Sequence, residues 1–335
     1  MKFGLALPHY DFSTPEGAPV SWERVSAAAS QAEALGFDSV WVSDHFFLSL
    51  DRYGGPSAPQ GSVEPLSALA ALALTTERVR LGSLVLSAGF RHPALLAKAV
   101  ATVDLLSGGR LDVGIGAGWY REEFDAFGYE FGSVRERFEI LEETVVVLGM
   151  LLGPGPASWR GRHFRLDDAY VRPLPRQEPR PPLFVGGKGG SRLLTLAARH
   201  ADGWNTVWAW SAAAYAERVQ SLRAICERQG RDPKEVRLSL GLYTLVGEDR
   251  RDLVARFRAL QRWAPGGALD GVLLDDWARD KLVGTPEHVL ERLAEFAALG
   301  VEEMIVSAGS IPFSVYDESM LTVFAEGVMP SAAKL

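Results

Sequence analysis

The sequence is poor in cysteine and has no excess of positive charge. Its 335 residues include one cysteine, Cys226, which excludes an internal disulfide and a cysteine-based metal cluster. Lys and Arg number 35 against 42 Asp and Glu, a formal net charge of −7. Nucleic acid and anionic membranes are usually bound through a broad basic surface. We therefore expect this chain to bind neither nucleic acid nor a membrane.

Long apolar runs and two common catalytic motifs are also missing. No stretch reaches the roughly 18 uninterrupted apolar residues of a transmembrane helix. Residues Met1–Pro8 are apolar but lack the basic start and cleavage site of a secretory signal. Neither H-E-x-x-H nor G-x-S-x-G occurs, which disfavours metalloproteases and serine hydrolases. With 47% hydrophobic and 23% charged residues, the composition predicts a globular, cytoplasmic protein.

Short apolar runs alternate with helical segments along the whole chain. The run Phe3–Leu7 precedes a helical pattern over Trp22–Leu35, and Val79–Leu86 precedes another over Pro93–Leu106. About eight such units follow one another, whereas an open doubly wound sheet usually has about five or six strands. The pattern therefore predicts a single α/β domain over residues 1–335, a (β/α)8 TIM barrel.

Two segments depart from this alternation. Residues 154–182 are rich in proline, and we interpret them as an insertion that carries a surface hairpin over Trp159–Val171. Residues 263–283 show little helical or strand periodicity and contain Pro265-Gly266-Gly267. Irregular stretches of this length in compact domains are usually lids or binding loops, or else disordered. We predict a lid over the active site; a solvent-facing excursion and a dimer contact are the alternatives.

The residues that follow the predicted strands would meet at one mouth of the barrel, where such barrels hold their active sites. They are aromatic and rich in glycine, and they include His9 and His45. Such a mouth suits a large planar ligand with an anionic tail. His45 is our candidate for a group that handles a proton or polarises a ring, the alternative being a packed histidine. We expect His9 and Trp119 to face the substrate.

A glycine loop, Gly186–Gly190, precedes a predicted helix over Ser191–Ala201. A helix N-terminus offers unpaired N–H groups and a positive dipole end, and Lys188 adds charge. The loop therefore predicts phosphate binding, with a flexible turn as the alternative. A second run, Gly114-x-Gly116-x-Gly118, lacks the final glycine of the Rossmann fingerprint because position 119 is tryptophan.

Taken in order, several segments resemble the bacterial luciferase-like monooxygenase superfamily. The resemblance spans nearly the whole chain, and within the superfamily it points to the branch that uses the deazaflavin coenzyme F420, the other members using FMN. The matching segments are Val40–Phe46, Val79–Leu86, Phe90–Pro93, Ser107–Leu111, Gly114–Trp119, Leu183–Gly187, Asp202–Trp204 and Val283–Glu287.

The resemblance implies a (β/α)8 barrel, commonly a homodimer, with the cofactor ring over a bulge in the third strand. That bulge is expected to contain a cis peptide between Leu84 and Val85. The cofactor-binding residues that the resemblance implies are Asp44 and His45 beside the ring, Leu84 and Val85 beneath it, Ala117 and Gly118 in contact with it, and Gly186, Gly187 and Lys188 at its phosphate.

This chain differs from the proteins it resembles at two positions. The sugar-phosphate dehydrogenases of the F420 branch have a glutamate where this chain has Trp119, which argues against a sugar-phosphate substrate. The substrate pocket also differs at His9. The expected function is an F420-dependent oxidoreductase that moves a hydride between deazaflavin C5 and a small organic substrate. The alternatives are an FMN-dependent monooxygenase that uses O2 and a non-catalytic barrel that only binds a flavin or deazaflavin.

Overall fold

The computed structural model describes residues 1–13 and 18–335. In this part of the chain, eight parallel strands close a barrel, which confirms the predicted fold. Each strand pairs with the next, and the eighth pairs with the first, so that Leu5 lies between Val40 and Val306. The strands are β1 (Lys2–Ala6), β2 (Ser39–Val42), β3 (Arg80–Ser83), β4 (Leu111–Gly116), β5 (Leu183–Gly186), β6 (Gly203–Trp208), β7 (Arg237–Val246) and β8 (Val301–Ser307).

Helices surround the barrel, and the longer ones bury an apolar stripe. In the helix over Pro286–Ala298 the stripe is Val289, Leu293 and Phe296. Pro65, Pro93 and Pro286 occupy first helical positions, where a missing N–H costs no hydrogen bond. The helices are α1 (Trp22–Ala34), α2 (Pro65–Thr75), α3 (Pro93–Leu106), α4 (Arg121–Ala126), α5 (Val134–Leu151), α6 (Ser191–His200), α7 (Ala212–Arg228), α8 (Arg250–Trp263), α9 (Leu274–Ala278), α10 (Pro286–Ala298), α11 (Glu318–Gly327) and α12 (Met329–Ala332).

The barrel interior is filled by side chains. Trp41 is 1% exposed, and a Cβ at Gly4 or at Gly82 would lie within 2.5 Å of its ring. The two glycines on the neighbouring strands β1 and β3 therefore leave the space that this indole occupies. Above Trp41, Leu84 and Ile305 belong to the same apolar cluster, which forms the floor of the barrel mouth.

The sequence predicts the third strand as one continuous run, whereas the structure interrupts it. β3 ends at Ser83, and Leu86–Ser87 resumes pairing with β4. The peptide bond between Leu84 and Val85 is cis, which confirms where the resemblance placed the bulge. The side chain of Val85 fills space that glycines leave: a Cβ at Gly186 would lie 2.5 Å from its Cγ1 and one at Gly116 would lie 2.7 Å from its Cγ2.

The two segments predicted to depart from the alternation do so differently. The insertion carries the predicted antiparallel hairpin, Ala157–Arg160 with Arg165–Ala169, which begins two residues before the predicted start at Trp159. The prediction of an irregular stretch over residues 263–283 is wrong. This stretch holds a 3-10 turn (Pro265–Gly267), the short helix α9, and a strand (Leu282–Gly284) that pairs with β7.

Two further strands form a small hairpin after β2, Phe47–Ser49 with Pro59–Gly61. In residues 1–13 and 18–335, none of the helices combines the length and the apolar character that a membrane crossing requires.

Candidate active site

A cavity of about 590 Å³ opens at the carboxyl ends of the barrel strands. Its wall is formed by residues at the ends of β2 to β6, by the Leu84–Val85 bulge, and by Pro312 and Phe313 after β8. Ten of the residues that the sequence predicted lie together there: Asp44, His45, Leu84, Val85, Ala117, Gly118, Trp119, Gly186, Gly187 and Lys188.

His45 is anchored in the cavity wall by a carboxylate. Its Nδ1 lies 2.8 Å from Oε1 of Glu123, whose other oxygen accepts the backbone N–H of Phe46 at 2.9 Å. Glu123 lies on α4 and is 1% exposed. A carboxylate accepts hydrogen bonds, so Nδ1 of His45 carries the proton in this contact. Nε2 is then the ring atom that can exchange a proton with a ligand.

Asp44 borders the cavity with a carboxylate that is already paired. Arg91 donates to it through two guanidinium nitrogens, at 2.5 and 3.1 Å, and the backbone N–H of Ser87 donates at 2.9 Å. Arg91 also donates to Glu64 at 2.6 Å, so its charge is shared between two carboxylates. The pair ties the end of β2 to the loop after β3 and fixes the backbone that carries His45.

His9 is not in the cavity wall, which corrects the expectation that it faces the substrate. It is completely buried behind Ser43. Its Nδ1 donates to the carbonyl of Leu7 at 2.9 Å, and its Nε2 accepts the backbone N–H of Ser43 at 3.1 Å. Burial lowers the pKa of His9 to about 4, so the ring stays neutral and holds β1 against β2. A strand-end position alone did not distinguish this role from substrate contact.

The glycine loop leads into α6, whose N-cap is Gly190 and has no capping side chain. The first-turn N–H groups are therefore not used by a cap. Gly187 and Gly190 border the cavity, as does Arg137 of the neighbouring helix α5. The guanidinium of Arg137 stacks over Phe131 at 3.8 Å, while its buried Nε has no hydrogen-bond partner in the described part of the chain. Together these groups can hold an anion.

Lys188 lies in the same loop, and its ammonium already contacts two other residues. Its ammonium donates a hydrogen bond to the carbonyl of Val207 and lies 5.1 Å from the ring of Trp210. Burial lowers the pKa of Lys188. The lysine therefore braces the loop against the end of β6 as well as adding charge to it.

Glu123 and Arg137 line the cavity but were not among the predicted site residues, because a short polar helix such as α4 and a single charge on α5 carry no sequence signal of a site. Tyr10 follows β1 and, as expected of a strand-end residue, lines the cavity. Among the described residues, no group of three or more His, Cys, Asp or Glu side chains could hold a metal ion.

Comparison with known proteins shows the family of the chain and several of its relatives. The family model described as luciferase-like monooxygenase matches residues 1–303. The chain is 30% identical over 325 residues to the F420-dependent hydroxymycolic acid dehydrogenase of Mycobacterium tuberculosis, covering 92% of this chain and 81% of that protein. It is 25% identical to the FMNH2-dependent dimethylsulfone monooxygenase of Pseudomonas putida, over 92% of this chain and 87% of that protein.

The crystal structure of the monooxygenase RslO1 from Streptomyces bottropensis superimposes with a TM-score of 0.77 at 25% identity, covering 99% of both chains. The family is shown by the match of its model to most of the chain, and the closed barrel agrees with it. The chain belongs to the luciferase-like monooxygenase family.

Proposed function

We propose that the protein is an F420-dependent oxidoreductase that moves a hydride between deazaflavin C5 and a small organic substrate. The observation that carries the proposal is one cavity that joins three features. These are the His45–Glu123 pair, the apolar floor at Leu84 and Val85, and the uncapped helix end at Gly190. They suit a proton-transfer group, a planar ring and an anionic tail respectively.

The residues present fit such a cofactor. When bound, F420 supplies a ring that accepts or gives up a hydride. Leu84 and Val85 would contact its flat face, and the N–H groups after Gly187 would hold its phosphate. The buried Nε of Arg137, which has no partner among the described residues, would gain an anionic acceptor there. Burying a guanidinium N–H without a hydrogen-bond partner is costly, so an anion bound at this point would supply the acceptor that the protein lacks.

The chain's own part in the chemistry is placement and proton transfer. Nε2 of His45 takes a proton from a substrate hydroxyl in the oxidising direction and returns it to a carbonyl oxygen in the reducing direction. Glu123 holds the Nδ1 proton, and so keeps Nε2 in the form that accepts. Trp119, whose ring lies edge-on to His45 at 5.6 Å, would be covered by a bound substrate and would help to exclude water.

F420 is favoured over FMN by the relative from Mycobacterium tuberculosis. That F420-dependent protein is 30% identical to the chain, whereas the FMNH2-dependent relative is 25% identical over a similar length. The second relative keeps an FMN-dependent, O2-using monooxygenase as the alternative. The homodimer implied by the resemblance and the cytoplasmic location predicted from the sequence stay predictions, to be tested by sedimentation and by cell fractionation.

Titration of the purified protein with F420 and, separately, with FMN tests the proposal. We expect F420 to bind more tightly than FMN and to be reduced by substrate without O2 uptake. Tight binding of FMN together with substrate-dependent O2 uptake, and no binding of F420, would replace the proposal by its alternative.

A further inference from the structure

The hydrogen-bond ladder between β1 and β2 ends in a side chain. Leu7 donates its N–H to the carbonyl of Trp41 at 2.9 Å, so the next bond of a parallel ladder would join the N–H of Ser43 to the carbonyl of Leu7. The imidazole of His9 lies in the place of that bond. Its Nδ1 donates to the carbonyl of Leu7 at 2.9 Å, and its Nε2 accepts the N–H of Ser43 at 3.1 Å. The ring therefore bridges the two strand ends where they part at the barrel mouth.

This bridge requires a neutral ring with its proton on Nδ1. A carbonyl accepts hydrogen bonds and a backbone N–H donates them, so the two ring nitrogens of His9 have opposite roles. Burial lowers the pKa of His9 to about 4, which keeps the ring neutral above that pH. Tyr10 and Phe313 pack against it, with ring centroids 4.5 and 4.7 Å away. The imidazole is thus a fixed spacer between the two strand ends.

Residues 43–45 continue from this bridge to the imidazole in the cavity wall. From the side of the later strands, Arg91 binds the aspartate of this segment, and Ser62 donates a hydrogen bond to the carbonyl of its histidine. From the side of β1, the segment is held by the ring of His9 and by the hydroxyl of Tyr10, which lies 2.5 Å from the serine Oγ. The backbone of the segment is therefore fixed from both sides.

We infer that His9 is a positioning residue for His45. By taking the place of a backbone hydrogen bond, the ring of His9 sets how far the end of β2 stands from β1, and so where the imidazole of His45 lies. A catalytic group has to be held within about 0.5 Å of its productive position. The inference rests on the proposed function, because this placement serves catalysis only if Nε2 of His45 exchanges a proton with a ligand.

Two substitutions of similar length separate the hydrogen bond from the packing. His9→Gln keeps an acceptor oxygen for the N–H of Ser43, whereas His9→Met offers only a weakly accepting sulfur. Both variants lose the ring contact with Phe313, so a difference between them reports the hydrogen bond. Tyr215→Phe on α7 is the control for the loss of a buried polar atom, since its hydroxyl has no hydrogen-bond partner in the described part of the chain.

The readout is the Nδ1 proton of His45 in protein labelled with 15N-histidine, which needs neither cofactor nor substrate. The chain has six histidines, and His45→Ala assigns the signal by removing it. This proton is bound to Glu123 at 2.8 Å, which slows its exchange with water as long as His45 stays in place. Exchange is compared well below the melting temperature of each variant, so that global unfolding does not contribute.

We expect His9→Met to speed this exchange about tenfold, because the loss of one buried hydrogen bond shifts a local opening equilibrium by about that factor. His9→Gln should restore most of the slow exchange, and Tyr215→Phe should leave it unchanged. Should His9→Met not fold, His9→Asn takes its place. Asparagine keeps a donor for the carbonyl of Leu7 but is too short to accept from Ser43, so it too should speed the exchange.

Two results would overturn the inference. One is a folded His9→Met or His9→Asn protein in which the proton of His45 exchanges as slowly as in the unsubstituted chain. The other is equal acceleration in His9→Met and His9→Gln, which would show that the ring contributes packing and not position. A failure of F420 to bind would overturn the proposed function instead, and the exchange rates would still be read in the cofactor-free protein.

Discussion

The two ends of the barrel use charge in opposite ways. At the amino-terminal end of the strands, charged groups bind one another and the backbone. Arg80 holds Asp112 through two contacts at 2.6 and 2.8 Å. The carboxylate of Glu33 accepts the N–H groups of three successive residues, Glu77 to Val79, and the guanidinium of Arg110 donates to the carbonyls of Ala73 and Val79 among others.

The carboxyl end, by contrast, leaves polar groups unused. Nε of Arg137 lacks a partner among the described residues, the N-terminus of α6 has no capping side chain, and Nε2 of His45 is left to a ligand. The amino-terminal end therefore stabilises the barrel, and the unsatisfied groups of the carboxyl end are available for binding. Substitutions at either end of the barrel test this contrast.

Removing the imidazole at the carboxyl end should have the largest effect. We expect His45→Ala to lower kcat by roughly 10²–10⁴-fold, because the proton loses its acceptor in the transition state. The fold should persist, since His45 lies in the cavity wall and not in the core. Steady-state kinetics at saturating cofactor and circular dichroism measure the two effects.

His163→Ala, in the insertion hairpin, serves as the control for the loss of a histidine. The kcat of Glu123→Gln should lie between those of His45→Ala and His163→Ala. A His45→Ala protein with normal kcat and weakened cofactor binding would show that His45 only binds.

At the opposite end, Glu303 should govern a pH dependence of stability. Burial, with Asp112 nearby, raises the pKa of Glu303 from 4.5 to about 7. The folded pKa exceeds the unfolded one, so the stabilisation is complete below about pH 4.5 and is lost as the pH rises through about 7. Glu303→Gln should therefore raise the free energy of unfolding at about pH 8 by up to about 3 kcal/mol and change it little at about pH 4.

Chemical denaturation across this pH range measures the effect, and Glu302→Gln on the exposed side of the same strand is its control. An unchanged pH profile in Glu303→Gln would contradict the assignment. Turnover per folded molecule should be unaffected, since the residue lies at the end of the barrel away from the cavity.

The glycine loop can be tested at Gly190 without disturbing packing. A Cβ there meets nothing within 4 Å. Gly190→Asp should cap α6 and preserve stability, but under the proposed function it should weaken F420 binding about tenfold or more, because its carboxylate would face the phosphate of the bound cofactor. Gly190→Asn has the same shape without the charge and should bind F420 better than Gly190→Asp does. Equal affinities for the two variants, measured by fluorescence titration, would argue against an anion at this helix end.

The smallest expected effect concerns the predicted lid over residues 263–283. Leu273 is 68% exposed, whereas Trp277 packs on Phe257 with ring centroids 5.5 Å apart. We expect limited proteolysis to cut near Leu273 first in cofactor-free protein, and cofactor plus substrate to slow this cleavage several-fold. Equal rates with and without ligands would count against a lid.

The barrel follows from local patterns in the sequence, and ten residues of the cavity wall were predicted from strand ends and from the resemblance. Alternating apolar runs set the strand count, and strand ends converge in any such barrel, which places His45 and Gly187 together. The bulge at Leu84–Val85 came from the resemblance and not from periodicity, since Val79–Leu86 reads as one strand.

The parts that could not be predicted depend on contacts between distant residues. Glu123 is 78 positions from His45, and neither local sequence predicts that the two residues form a hydrogen bond. His9 and His45 both follow strands, yet one is buried behind Ser43 while the other borders the cavity. Which way a strand-end side chain turns depends on the side chains around it. The segment over residues 263–283 was misjudged because its elements are each only three to five residues long.

The space around Val85 also determines which substitutions the barrel tolerates singly and which only in combination. A Cβ at Gly186 or Gly116 would collide with the methyl groups of Val85, but one at Gly114 would lie 2.2 Å from the backbone oxygen of Ser83. Shortening Val85 to alanine should therefore rescue Gly186→Ala and not Gly114→Ala. For anyone building variant libraries of this barrel, positions 85, 116 and 186 form an epistatic group that has to be varied together, whereas position 114 has to stay glycine.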